Sequence, residues 1–466
     1  NFGCLFEKYL ITRNETVLIQ LRNLMKRGAP DYEALVLDYT SAGRFEEALA
    51  VAELAIAQPV GEQTLLHYYK SWCLIRLGKT AEAQIAIATA EKEPADYCFP
   101  NALEAIEALQ CVVDFAGKAP KALYYLGNLW YDKRRYPTAI AAWERSSRED
   151  ETFPTVWRNL SLAYFNKMNR PDEAVALLEK AFRLDHTDAR VLMELDQLYK
   201  RLNRPHIERL CFLEQHIDIV MTRDDLYLEY VTLLNQTGQY REAIRRIDQR
   251  KFHPWEGGEG KVPAQYQLAR LELAKELINR KKYDDALALI DECYIYPTHL
   301  GEGKLPGAQE NDFNYYKAYI LQQQGRPEEA HSLFVKACSG NSQPAAAMYY
   351  NDQKPDKIFY QGLAYRKLGE EEKARSRFNQ LITYGEEHLF DRFKMDYFAV
   401  SLPDLLIWED DMDKKNRIHC NYLMALGHLG LGNRTKAEHF FDIAASMDNN
   451  HQGVQIHRKL MNTILS

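Results

Sequence analysis

Small and apolar residues recur at helical spacing around one alanine, along almost the whole chain. The recurring stretches are "GRFEEALAVAELAIA", "GKTAEAQIAIATA", "RRYPTAIAAWERS", "NRPDEAVALLEKA", "GQYREAIRRID", "KKYDDALALIDEC", "GRPEEAHSLFVKA", "GEEEKARSRFNQL" and "GNRTKAEHFFDIA". Their central alanines are Ala48, Ala83, Ala139, Ala174, Ala243, Ala286, Ala330, Ala374 and Ala437. Twelve residues earlier stands a small residue in most of them: Ser71, Gly127, Ala274, Ala318, Gly362 and Ala425. Val36 and Val231 are larger, and Ser161 is displaced by one position. Aromatics precede several of the alanines by nine or ten residues, as at Tyr39, Trp130, Tyr164 and Tyr365. Five residues before them come Gly43, Gly78, Asn169, Gly238, Gly325, Gly369 and Gly432. Four residues after them come bulky side chains such as Trp143, Leu178, Ile290, Phe334 and Phe378.

This pattern predicts pairs of antiparallel helices. Two helices approach closely only where both present small side chains, and a glycine in the turn accepts the left-handed backbone that ends the first helix. The bulky position then fills space towards the next pair. The pattern resembles the tetratricopeptide repeat. It implies an all-α fold: a right-handed superhelical solenoid of about nine or ten helix pairs. The expected division is an N-terminal segment with a helix over 1–30, a possible junction to a further domain, and the solenoid over 31–466.

Irregular steps between alanines locate the insertions. The gap from Ala83 to Ala139 leaves room for an extra helix near 101–116. After Ala243 the steps lengthen to 43 and then 44 residues. The surplus goes into two similar loops, "FHPWEGGEGKVP" at 252–263 and "YPTHLGEGKLPG" at 296–307, one repeat apart. They are therefore expected side by side on one edge. Trp255, Glu256, Glu259, Lys261, Tyr296, Glu302 and Lys304 are their candidate binding residues. The alternative is that the loops seal the edge, with Trp255 buried and the glutamates capping helix N-termini. One repeat breaks the pattern, replacing the small pair with Asp196 and Glu208. Either this hairpin is distorted, or Asp196 is buried and paired with Arg209, because unpaired carboxylates at a tight crossing are costly.

The first helix of each pair lines the concave face of such solenoids. Residues there that the packing pattern does not use include Tyr124, Asn128, Tyr131, Arg158, Asn159 and Glu194, followed by Gln197, Arg201, Glu229 and Asn235. Tyr, Arg and Asn are good anchors for a peptide or a sugar, and Arg158 with Asn159 could grip a carboxylate. An ordinary solvated helix face is the competing reading.

Composition narrows the partners. The net charge of −7 is mild and no basic stripe is present, which argues against nucleic acid. No apolar run reaches the length of a membrane span. The eight cysteines form no CxxC pair, which predicts free thiols and a reducing, cytoplasmic setting. The first residue is Asn, so the chain reads as a piece of something longer. No metal set, nucleotide loop or catalytic motif is visible: in "GEGK" the lysine is followed by Leu305. No cofactor and no catalytic residue is expected.

A narrower resemblance rests on "VWRNLSLAYFN", "MELDQLYKRLNR", "DDLYLEYVTLL", "RKFHPWEGGEGKV", "YPTHLGEGK" and "HCNYLMALGHLGLG". Together they resemble the helical C-terminal region of large bacterial proteins whose N-terminal half is β-rich and similar to sugar-binding sandwiches. That resemblance implies the missing N-terminal domain as one partner and carbohydrate as another. The expectation is a non-catalytic scaffold binding a protein domain or peptide. The alternative is the helical part of a carbohydrate-active or carbohydrate-binding protein.

Overall fold

Helix-favouring runs broken by Gly, Asn and Pro give a chain of helices and, among the described residues, no strand. A computed structural model describes residues 1–58, 61–346, 352–392 and 407–461. The parts of the expected 31–466 array outside those ranges lie outside the described residues. The chain divides into two compact units, Asn1–His186 and Thr187–Ser466.

The first unit begins with α1 (Phe2–Thr12) and α2 (Glu15–Leu24). Next come α3 (Ala29–Ser41), α4 (Phe45–Ile56), α5 (Thr64–Arg76) and α6 (Thr80–Ala90). It continues with α7 (Glu104–Ala116), α8 (Pro120–Asp132), α9 (Tyr136–Glu149), α10 (Pro154–Met168) and α11 (Pro171–Leu184). Neighbouring helices pair as hairpins, with α7 inserted between α5 and α8. The N-terminal segment holds two helices rather than one. They fold as a hairpin that lacks the alanine pattern, turning at Arg13 in the left-handed region, with the Asn14 side chain capping α2.

The second unit runs through α12 (Ala189–Arg201), α13 (His206–Gln215), the one-turn α14 (Ile217–Val220), α15 (Asp224–Gln236) and α16 (Tyr240–Asp248). Then follow α17 (Lys261–Asn279), α18 (Tyr283–Cys293), α19 (Asn311–Gln323), α20 (Pro327–Ala337), α21 (Pro355–Lys367) and α22 (Glu371–His388). It ends with α23 (Met412–Gly430), α24 (Arg434–Met447) and α25 (Gln452–Leu460).

All nine central alanines are buried. In two hairpins the bulky position after the alanine packs back onto the small residue of its own hairpin, not only towards the next one. A Cβ on Gly127 would stand 2.2 Å from the Trp143 indole, and one on Gly362 would stand 2.4 Å from the Phe378 ring. Phe378 also reaches the next hairpin, where it covers Gly430.

The pattern-breaking hairpin of α12 and α13 crosses on charge. Glu208 is exposed, and the buried pair is Asp196 with Arg209. The Arg209 guanidinium donates to Asp196 at 3.0 and 2.7 Å, to Glu229 at 2.8 Å and to the Asn450 side chain at 2.7 Å. Lys200 supports Glu229 at 2.9 Å. Burial opposes ionisation of Glu229, but Lys200 and Arg209 win and hold its pKa well below the ordinary carboxylate range.

Asn450 belongs to the C-terminal segment, which returns to the start of its own unit. Asn449 donates twice to Asn203, from its backbone N–H to the side-chain oxygen at 3.0 Å and from its side-chain amide to the backbone carbonyl at 2.8 Å, and the Gln236 amide donates to the Asn450 carbonyl. Gln265 and Gln452 exchange amide hydrogen bonds at 2.8 and 3.0 Å. Lys459 reaches the Tyr240 hydroxyl at 3.0 Å. Behind α25 lie Phe359, Tyr360 and Tyr422, which enclose the His457 ring. The C-terminal helix thus occupies inward surface that an open repeat array leaves free.

Candidate functional site

The two Gly-rich loops meet within the second unit. The Phe252 N–H donates to the His299 carbonyl at 2.8 Å, and the Gly260 N–H donates to Glu302 at 2.7 Å. Gly301 comes so close to the Phe252 carbonyl that a Cβ there would stand 2.7 Å from its oxygen, at a φ of 77° that already favours glycine. Burial, helped by Glu259, lifts Glu302 above the ordinary carboxylate range, against the pull of the Gly260 N–H. Glu302 therefore serves the first turn of α17 from the neighbouring loop, a capping role. Lys304 pairs with Glu310 and donates to the Tyr294 carbonyl at 2.9 Å. Half-buried Tyr296 lies beside Gln267.

Trp255 is half-buried and lies over Gly258, where a Cβ would clash with its indole at 2.3 Å. That packing turns the first loop inward. Trp255, Glu256, Glu259 and Lys261 then wall a cavity of about 870 Å³ together with Met193, Gln197, Leu228, Glu229, Gln265 and Trp408. Asn450 and Gln452 close it from the C-terminal segment, and Lys354 enters from the approach to α21. A second hollow of about 260 Å³ lies between the two loops, bounded by His253, Trp255, Glu259, Leu300 and Glu302.

Four of the eight charged residues that line the larger cavity are ion-paired. Arg201 pairs with Asp410 and donates to the Trp408 carbonyl at 3.0 Å. Lys200 pairs with Glu229, and Asp225 with Arg223 at 2.6 Å. Trp408 is buried and donates to the Glu194 carbonyl at 3.1 Å. Glu259 accepts the Gly257 N–H at 3.3 Å. The amines of Lys261 and Lys354 have no hydrogen bond or ion pair among the described residues. Both residues are exposed, and partial desolvation by the surrounding protein lowers the pKa of both; Lys200 adds to the effect at Lys261, while at Lys354 Asp356 opposes it and Lys357 adds to it.

The expected groove residues divide between the units. In the first, the Trp143 indole donates to the Tyr124 carbonyl at 3.1 Å and to Asn128 at 3.2 Å. Asn128 also accepts from Asn159 at 3.0 Å, and Asn159 accepts from Arg158 at 3.3 Å. The side chains of Asn128, Asn159 and Arg158 therefore form one polar ladder. Tyr131 packs against Tyr136 and Trp143. Two expectations are corrected. Tyr124 is buried because Phe153 packs edge-on against its ring at 4.9 Å. Glu194, in the second unit, is fully buried beside Trp408.

The cavity residues that the repeat pattern does not flag include Met193, Lys354, Trp408, Asn450 and Gln452. The only local signal for the last two is the amide-rich run "NNHQ" at 449–452. No three His, Cys, Asp or Glu side chains gather to hold a metal ion among the described residues. No described helix is long and apolar enough to cross a membrane.

The fold is an all-α, tetratricopeptide-like array of helical hairpins. The family model for the tetratricopeptide repeat matches residues 99–154 and, in a second version, 358–384. Among solved structures, YrrB, described as a TPR protein with an unusual peptide-binding site, is 15% identical. That match covers 40% of this chain and 91% of YrrB, with a TM-score of 0.31. The P58(IPK) TPR domain is 13% identical over 85% of this chain and 98% of its own, with a TM-score of 0.23. MamA from Desulfovibrio magneticus RS-1 is 16% identical over 42% of this chain and 97% of its own, with a TM-score of 0.25.

Proposed function

We propose that the chain is a non-catalytic interaction scaffold whose second unit receives a peptide segment of a partner protein in the 870 Å³ cavity. One observation carries this reading. The inserted loop at 252–263 does not merely cover the edge: its Trp255, Glu256, Glu259 and Lys261 share a cavity with the inward faces of α12, α15 and α17. The walls offer apolar surface from Met193, Leu228 and Trp255, and an amide on Gln197 with no partner among the described residues. That mixture suits an extended peptide, whose backbone needs hydrogen bonds and whose side chains need pockets.

Selection of a displayed random-peptide library on the immobilised chain tests this. We expect enriched sequences whose binding is lost in Gln197→Trp, which fills the cavity, and weakened in Trp255→Ala. Absence of enrichment, or enriched peptides indifferent to both changes, would refute the reading. Binding of oligosaccharides in place of peptides, with the same dependence on Trp255, would move the assignment to the carbohydrate alternative.

A further inference from the structure

We propose that the chain pairs with a second copy of itself through α1, which lies antiparallel to its counterpart along the groove between α1 and α3. This surface belongs to the first unit and is separate from the cavity of the second. α1 directs Phe6 into the core beside Tyr39, with Phe2, Leu5, Tyr9 and Leu10 partly buried around it. Another side of the helix carries Cys4, Lys8 and Ile11, all exposed and spaced by one helical turn. Ile11 is 81% exposed, with no apolar cover of its own. Beside this stripe runs a groove of about 720 Å³, walled on α1 by Gly3, Cys4 and Glu7 and on α3 by Leu35, Asp38 and Ala42.

The surface complements itself about a two-fold axis passing between Glu7 and Lys8. In an antiparallel pair, residue 4 faces residue 11 of the partner, and residue 7 faces residue 8. Ile11 then enters the partner's groove beside the small Gly3 and Cys4, and Glu7 meets the partner's Lys8. Each contact recurs in the reverse direction, which is the condition for a closed isologous pair. Lys8 and Asp38 are both exposed and have no ion pair among the described residues. A lysine brought into the groove by the second copy therefore finds Asp38 on the far wall as well. Gly3 is an independent sign. A Cβ there would meet only Asn1 at 3.4 Å and Leu35 at 3.9 Å, ordinary contacts. A single copy thus gives no reason for a glycine, which weakens a helix relative to alanine. Close approach by the partner's Ile11 supplies one. An unrelated apolar helix would fill the groove but leave the reciprocal Glu7–Lys8 match unused.

Sedimentation equilibrium of the full chain, over about 1–200 µM to cover small transient interfaces, tests this. We expect a monomer–dimer equilibrium. Ile11→Lys and Lys8→Glu should each weaken it about tenfold or more with helical content intact. Combining Glu7→Lys with Lys8→Glu exchanges the two charges and should recover part of the affinity that Lys8→Glu loses. The recovery is partial because Glu7 also accepts from the Tyr39 hydroxyl at 3.1 Å. Ile11→Cys should form a disulfide with the partner's Cys4 when diamide is the oxidant, and adding Cys4→Ser should abolish that covalent dimer. Ile19→Cys, exposed on α2, should give none. A monomer throughout the range, or a dimer indifferent to Ile11→Lys, would overturn the proposal. So would no recovery on charge exchange, or a covalent dimer that survives Cys4→Ser, since either excludes the antiparallel register.

Discussion

Replacing Arg209 with methionine removes the donor that holds Asp196, Glu229 and Asn450 together. Glu229 keeps Lys200 at 2.9 Å, so the stranded group is Asp196, which is fully buried. An isolated buried carboxylate escapes its penalty by taking a proton. At pH 7 that costs about 1.4 kcal/mol per pH unit above a normal pKa near 3.9, or roughly 4 kcal/mol. The lost bond to Asn450 adds on the order of 1 kcal/mol. The expected loss is about 3–5 kcal/mol, in the range for breaking one side of a buried ion pair. The sign of the pH dependence follows. Burial already raises the Asp196 pKa in the intact chain, against the pull of Arg209; in the variant it rises further, so the penalty grows as pH rises and shrinks to about 1.5 kcal/mol near pH 5. Amide hydrogen exchange of residues 206–215 and 452–460 measures it locally, which matters in a chain of two units where a single melting curve mixes transitions. Adding Asp196→Leu should recover most of the loss. A change below 1 kcal/mol at pH 7, no difference between pH 5 and pH 7, or no recovery in the double variant would refute the argument.

Three further outcomes are expected. Gly127→Ala pushes a methyl group into the Trp143 indole and should cost about 1–3 kcal/mol of first-unit stability, measured by exchange protection of α8 and α9. His457 is buried and neutral, and burial lowers its pKa to about 4. Its contribution is complete above pH 6.5 and is lost as pH falls from there towards 4, so α25 should lose about 2 kcal/mol of protection at pH 5, and His457→Phe should abolish that slope. Trp255→Ala should destabilise α17 by about 1–2 kcal/mol, less than a fully buried tryptophan would, since its ring is only half covered; no change in exchange there would mean the loop does not depend on the indole.

The hairpin register was legible because it is local and repeated: each alanine sits a fixed distance from a small residue, and Gly127 with Trp143 obeys the same geometry as Gly362 with Phe378. The Asp196–Arg209 pair was legible by elimination, because a buried carboxylate at a crossing needs a cation. Contact between the loops followed from their equal spacing. The additional N-terminal hairpin was not legible, because α1 and α2 are joined through Arg13 and Asn14 without the small-residue signature. Nor was the C-terminal return, which pairs Asn203 with Asn449 and Gln265 with Gln452 across about two hundred residues. Nothing within one helical turn encodes such a contact. Burial of Tyr124 and Glu194 was missed for the same reason, as their covers, Phe153 and Trp408, come from other elements.

The return of the C-terminal segment changes how the second unit can unravel. An open repeat array gains stability by nearest-neighbour increments and frays from its two ends. Here the last helices are bonded to the first hairpins through Asn203, Arg209, Gln236, Gln265 and Tyr240. Neither terminus of the unit is then a free end, and losing one terminal hairpin also exposes its opposite. Assembly acquires a late, non-local step: the hairpins from α12 to α24 can stack as they are synthesised, but the Arg209 network is incomplete until Asn450 arrives. Long-range closure of this kind slows folding and raises cooperativity. A chain truncated before Asn450 would leave the Arg209–Asp196 crossing without its last hydrogen-bond acceptor, and open a cavity wall that α25 otherwise keeps shut.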